Sequence, residues 1–174
     1  MKTMKGLCLV NGSMVTVRTT NDIMRTAEDK IKQIESDILS VGHPNVSEPI
    51  QLGTMSNPLT AVIQQTLSIK VEGKGIYTST AAILHHRGGQ KKARGKEVPF
   101  KDLITLPSQI SYMDIYAKDG LIFFTDYKNK YMVRLNQPIK MPNGNKKIAN
   151  HISSSKIIDE KEFNNGYLNI KKTR

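Results

Sequence analysis

The stretch YMDIYAKDGLIFFTDYKNKYMVRL, residues 112–135, decides the fold. Tyr112–Ala117, Leu121–Tyr127 and Lys130–Leu135 are rich in aromatic and branched residues, which suit a pleated, half-buried surface. Asp119-Gly120 separates the first two segments and Lys128-Asn129 the second two. Asp-Gly between apolar runs signals a tight antiparallel turn, so the three segments predict a meander. Side chains alternate along a strand. Phe123, Thr125 and Tyr127 therefore share one face of the middle strand, and Ile122, Phe124 and Asp126 share the other. After Pro138, Pro142 and the Asn143-Gly144 turn, residues 146–152 alternate Ile148, Asn150 and Ile152 against Lys147, Ala149 and His151. That pattern predicts a fourth strand.

Working outward, residues 7–18 read as a hairpin around Asn11-Gly12. Residues 21–41 follow as an amphipathic helix, with Ile23, Ala27, Ile31, Ile34 and Ile38 on one face and Gly42 and Pro44 at its end. Residues 42–58, with three prolines and two glycines, read as a loop or joint. Leu59–Leu67 fits a helix started by Pro58, whereas Thr66–Val71 alternates like a strand. Ile76-Tyr77 reads as a strand end running into a helix over Thr78–His86, which Gly88-Gly89 stops. A short helix fits Pro99–Leu106, and the tail from Lys156 is polar but holds Phe163, Tyr167 and Ile170 that could dock it.

The expected fold class is α+β, with helices packed on a small antiparallel sheet. That sheet is the three-stranded meander plus the fourth strand, preceded by the N-terminal hairpin and amphipathic helix. The expected organisation is a hairpin-and-helix extension over 1–73, a basic α+β domain over 74–158 and a polar tail over 159–174.

Charge narrows the function. The 174-residue chain carries a formal +11, and 38% of its residues are apolar, a lean share beside the usual ~45–50%. Residues 1–73 hold seven basic and seven acidic side chains, and residues 102–139 hold four of each. The excess lies in residues 74–101, at +6, and residues 140–174, at +5. Two basic blocks flanking a neutral middle suit a polyphosphate chain, if the fold joins them. Scattered lysines would serve solubility alone, but clustering favours nucleic acid. No apolar run approaches the ~20 residues of a membrane helix, so no membrane partner is expected. The apolar part of the start, MKTMKGLCLV, is too short for a secretory leader. A cytoplasmic protein is expected, and a lone Cys8 rules out a disulfide framework.

No phosphate-binding glycine loop, nucleophile elbow or metalloprotease helix occurs. Carboxylates are few in the basic half, so no metal and no cofactor is expected. RNA cleavage needs neither: a base takes the 2′-OH proton, the 2′-oxygen attacks phosphorus, and an acid protonates the leaving 5′-oxygen. Histidine can do both jobs. His85 and His86 end the predicted helix before the basic loop, and His151 sits on the fourth strand, so each basic block holds a candidate. The plainer reading of His85-His86 is a helix-terminal cation or a phosphate contact. Arg87, Lys91, Lys92, Arg94 and Lys96 in the first block, with Lys146 and Lys147 in the second, read as phosphate contacts or as solvated charges. Tyr112, Tyr116, Tyr127 and Tyr131 could stack bases, although core packing is the simpler role on a half-buried sheet.

The second half also resembles a known group. A helix ending in His85-His86, the basic linker, FKDLITLP at 100–107, and strands with LIFF at 121–124 and YMVR at 131–134 are similar to phage-associated nucleases of the Barnase–EndoU–colicin–RelE superfamily. The resemblance spans roughly residues 74–158. It implies helices on a four-stranded antiparallel sheet and a metal-independent endoribonuclease acting as a toxin or in phage–host conflict. It makes His85 or His86 the catalytic histidine on the helix, with Lys91 or Lys92 nearby, and draws His151 or one of Ser153–Ser155 from the last strand. RNA is the expected partner, with a cognate inhibitor or host protein as a further one. The alternatives are a nucleic-acid-binding module without chemistry, and a small phage-encoded inhibitor docking on an acidic host protein.

Overall fold

A computed structural model describes residues 6–10, 13–17, 20–45, 48–87 and 95–172, without the side chains of 6–17 and 85–87. The N-terminal hairpin forms from β1 (Gly6–Val10) and β2 (Ser13–Val17), paired with Gly6 opposite Val17; its Asn11-Gly12 turn lies outside the described residues. Helix α1 (Thr20–Val41) follows, burying Ala27, Ile31 and Ile34. Its end is tied down by Asp37, whose carboxylate accepts from Gln33 Nε2 at 2.7 Å and from the Asn45 N–H at 3.0 Å.

Strand β3 (Pro49–Thr54) arises inside the stretch that reads as a loop. Pro49 is tolerated as a first strand residue and Gly53 sits at a shift in register. Helix α2 (Asn57–Leu67) settles the ambiguity at 59–71. Ser56 Oγ accepts the Leu59 N–H at 3.2 Å, and Ser68 closes the helix at φ +54°. Residues 69–74 form no strand, because side chains take up their backbone groups. Gln64 accepts the Val71 N–H at 2.9 Å, and Asn136 both accepts the Glu72 N–H at 2.9 Å and donates to the Lys70 carbonyl at 2.7 Å. Buried Asn150 donates to the carbonyls of Gly73 at 2.7 Å and Gly75 at 3.1 Å.

Strand β4 (Gly75–Ser79) runs straight into α3 (Thr80–Arg87). Helix α4 (Phe100–Gln109) runs on through Pro107 into a single 3-10 turn at Ile110–Tyr112. The meander follows as β5 (Asp114–Lys118), β6 (Leu121–Thr125) and β7 (Asn129–Lys140), then β8 (Lys146–Ile157) and β9 (Leu168–Lys171). Asp119 and Gly120 take positive φ values of 53° and 75°, as a two-residue hairpin turn demands. Pro138 lies within β7, which carries two register shifts against β8.

The expected small antiparallel sheet of three or four strands, including the one the family resemblance implies, is overturned. The sheet has seven strands in the order β3-β4-β8-β7-β6-β5-β9. It is mixed, since β4 lies parallel to β8 with Ile76 beside Asn150 and Tyr77 beside His151. Of the additional strands, β4 contains the Ile76-Tyr77 strand end read in the sequence, whereas prolines, glycines or polarity masked β3 in the joint and β9 in the tail. Strands β3 and β9 thus come from outside residues 74–158, yet belong to the same sheet.

Buried side chains from each of the four described helices enter one core with Ile50, Leu52, Ile76, Ile115, Ile122, Phe124, Tyr131, Val133 and Ile152. These strand residues share one face of the sheet. The alternate residues make the opposite face, where a small cluster of Tyr77, Ile139 and Ala149 packs with Met141.

Candidate nucleic-acid interface

Cross-strand pairing orders that second face into three rows. The first is Gln51, Tyr77, His151 and Arg134 across β3, β4, β8 and β7. The second is Ser154, Met132, Phe123 and Tyr116 across β8, β7, β6 and β5. The third is Lys156, Lys130, Thr125 and Asp114. Beyond the first row, Lys147 pairs with Ile139 and sets its ammonium 5.6 Å from the centre of the Tyr77 ring. Lys147 and Lys156 are nine residues apart on β8, so the strip between them is about 30 Å long at strand rise.

His151 is half-buried, and that burial holds its imidazole below the ordinary histidine value. It lines a cavity of about 240 Å3 with Ser79, Ala81, Pro138 and Lys140. Desolvation disfavours the protonated ring in the folded state, whereas the unfolded chain titrates near 6.5. The native state therefore binds fewer protons than the unfolded state through that range. Stability should be full above about pH 6.5, fall as pH drops through that value, and level off below the folded-state pKa. His151→Gln should flatten this slope, as read from urea midpoints between about pH 5 and pH 8.

At the other end of the strip, Lys118, Lys130, Lys156, Ser154, Phe123 and Tyr167 border a second cavity of about 320 Å3. Lys130 Nζ donates to Glu162 and, at 2.8 Å, to the Tyr167 hydroxyl. Burial alone would lower the Lys130 pKa, but these two partners outweigh it and raise it. Glu162 shows the converse balance: burial pushes it up, and Lys130 followed by Lys156 brings it below the ordinary carboxylate range.

The acids of the middle segment are mostly tied up: Asp119 borders the Lys118 cavity, and the other three are held by neighbouring groups. Asp102 on α4 takes Lys128 Nζ at 3.1 Å and Asn129 Nδ2 at 2.9 Å. Asp126 accepts the N–H groups of Lys128 and Asn129 at 3.0 and 2.7 Å. Asp114 is buried and accepts the Tyr127 hydroxyl, which also meets the Tyr116 hydroxyl at 2.9 Å. Burial and these hydrogen bonds push the Tyr127 phenol well above its ordinary range. A segment that is neutral in sequence therefore presents Lys118, Lys130 and Arg134 on the second face. Sequence reasoning passed over these three, although Lys130, Met132 and Arg134 alternate along β7 and that spacing could have marked them.

The sequence-predicted residues fall as follows. Lys147 and His151 stand on the second face, and Lys146 begins β8 exposed. The Lys96 carbonyl accepts the Ile157 N–H at 3.1 Å, which brings the chain after the basic loop back to the end of β8. His85, His86 and Arg87 are the last three residues of α3, and Lys91, Lys92 and Arg94 lie outside the described residues. Ala81 of α3 borders the His151 cavity, with His85 one helical turn further along. Of the tyrosines, Tyr131 is fully buried in the core, Tyr116 and Tyr127 form the cluster with Asp114, and Tyr112 is 70% exposed.

Among the described residues, no helix is long and apolar enough to cross a membrane. Comparison of the chain with protein-family models, curated proteins and solved structures found no match.

Proposed function

We propose that this protein binds single-stranded RNA along the second face of its sheet. The observation that carries this reading is the set of cross-strand rows, which place Arg134, Lys130 and Lys156 on one face, with Lys147 just beyond them, over buried Tyr77 and Phe123. A cationic track seats the backbone of an unpaired strand, and half-buried Met132 and Tyr167 at its cavity leave apolar surface for its bases. A duplex would offer the phosphates but not the bases.

A second reading adds chemistry, and the His151 cavity favours it. A half-buried imidazole held neutral is a competent base at physiological pH. In this reading His151 removes the 2′-OH proton, the 2′-oxygen bonds to phosphorus, and the bond from phosphorus to the 5′-oxygen breaks. A protonated histidine at the end of α3, His85 or His86, supplies the proton to that oxygen. The products are a 2′,3′-cyclic phosphate and a 5′-hydroxyl. This is the metal-independent ribonuclease of the family resemblance.

One experiment separates the readings. Purified protein is incubated with RNA in EDTA and run on native and denaturing gels beside His151→Ala and a His85→Ala/His86→Ala variant. A native shift with intact RNA is expected if the protein only binds. Fragments from wild type that vanish in the histidine variants establish the ribonuclease. RNA that stays both intact and unshifted overturns both readings.

A further inference from the structure

Residues 159–167 cross one end of the second face. Phe163 stacks on Tyr116, ring centres 4.2 Å apart and planes 15° from parallel. Tyr167 stands edge-on to Phe123 at 5.3 Å. The Glu162 carboxylate takes the ammonium of Lys130 and lies 3.5 Å from that of Lys156. The segment's own backbone bonds run within it, from the Glu162 N–H to Asp159 and from the Asn164 N–H to Lys161. Its hold on the sheet is therefore made by side chains, rings on rings and a carboxylate between two lysines.

Those are the two contacts an unpaired nucleotide makes with a protein: a base flat on an aromatic ring and a phosphate between cations. The groups beneath the segment also continue the exposed strip without a break. Phe123 and Tyr116 extend the row of Ser154 and Met132, and Lys156 and Lys130 form the next row.

We propose that the nucleic-acid surface continues beneath residues 159–167, where Phe163 and Glu162 hold the places of a base and a phosphate, and that single-stranded RNA binds there by displacing them. This rests on the RNA-binding reading above. The hold is one that a strand can replace in kind. The Lys130–Glu162 pair is mostly buried and the Lys156–Glu162 pair is open to solvent, and a strand that supplies both a base and a phosphate restores the contacts it removes.

The test uses the full chain as wild type, Glu162→Gln and Glu162→Gln/Phe163→Ala, with a labelled single-stranded oligouridylate followed by fluorescence anisotropy across a salt series. Glu162→Gln should bind more tightly by about fivefold or more, since it removes the competing carboxylate from both Lys130 and Lys156. Its log–log salt slope should steepen by roughly 0.7 to 1.4 as Lys130 and Lys156 take up phosphate. RNA should also speed tryptic cleavage after exposed Lys161 in the wild type. If wild type binds but Glu162→Gln binds no tighter and cleavage after Lys161 is no faster, this proposal falls and the binding reading stands. If neither wild type nor the variants bind, both fall. Should the double variant fail to fold, the single Glu162→Gln substitution decides.

Discussion

Arg134→Glu combined with Lys147→Glu should lower the affinity for single-stranded RNA by about two orders of magnitude at moderate salt. Both side chains are exposed, so the fold should tolerate the change within about 0.5 kcal/mol. Each native cation neutralises a phosphate and releases a counterion, and each reversal adds repulsion against the strand. Arg134 faces His151 across the strands, and Lys147 lies four residues before it on β8. The pair thus forms the Lys147 end of the proposed track. The salt slope should shrink by about 1.4 for two lost contacts on a single strand. Lys101→Glu, exposed on α4, is the matched control for net charge, and should cost about threefold or less. Anisotropy titrations at two salt concentrations give the result. Equal losses in the double variant and the control would mean that affinity follows total charge, and would remove the sheet face from the mechanism.

Gly73→Ala should cost about 2–4 kcal/mol of stability, at or above the upper part of the usual range for overpacking. A Cβ at Gly73 would collide with the Ile148 carbonyl oxygen, and would stand 3.0 Å from that carbonyl's carbon and 3.3 Å from Ala149 Cα. All three are backbone atoms of a central strand, so no flexible side chain can swing aside. The loop would have to lift from β8, and lifting it would break the Asn150 hydrogen bonds to the Gly73 and Gly75 carbonyls. Asn150 is fully buried, and a buried amide left without partners adds its own penalty. A fall in Tm of roughly 5–15 °C follows for a chain of this size. Urea titration provides the free energy with m unchanged. A loss below about 0.5 kcal/mol would show that the 70–75 loop is not pressed against β8 as described.

Local signals were legible in the sequence, and long-range ones were not. The period of apolar residues marked α1 to within one residue at its start, and Asp119-Gly120 fixed the β5–β6 turn. Strand β3 was hidden because Pro49 and Gly53 signal a break in most contexts, and only pairing with β4 makes them tolerable at an edge. The parallel β4–β8 joint links Ile76 to Asn150, a separation that no local pattern encodes. Strand β9 carries two polar residues among its four and depends on β5 for its place. The same limit applies to charge. Counting by stretch located the basic blocks, but the sheet sorts charges by face, so Lys118, Lys130 and Arg134 emerge from a segment that sums to zero. His151 was legible as a candidate but not as a half-buried group, because its cavity is assembled from residues far apart in the chain.

The sheet's two outer strands bear on how copies of the protein behave beside one another. An unpaired strand edge invites another chain to add to it. Strand β3 opens with Pro49, which has no N–H to offer, and its register shifts before Gly53. Strand β9 is four residues long, ends in Lys171 and is followed by Lys172. Like charges keep β9 edges apart at low ionic strength, but that protection fades as salt shortens the Debye length, and it would fade further where a polyanion neutralises the surface. The proline, the bulge and the brevity of β9 do not depend on ionic conditions. Molecules crowded together at high salt or on a polyanion would keep these geometric guards after losing the electrostatic one, and would stay separate copies rather than fuse into a continuous sheet.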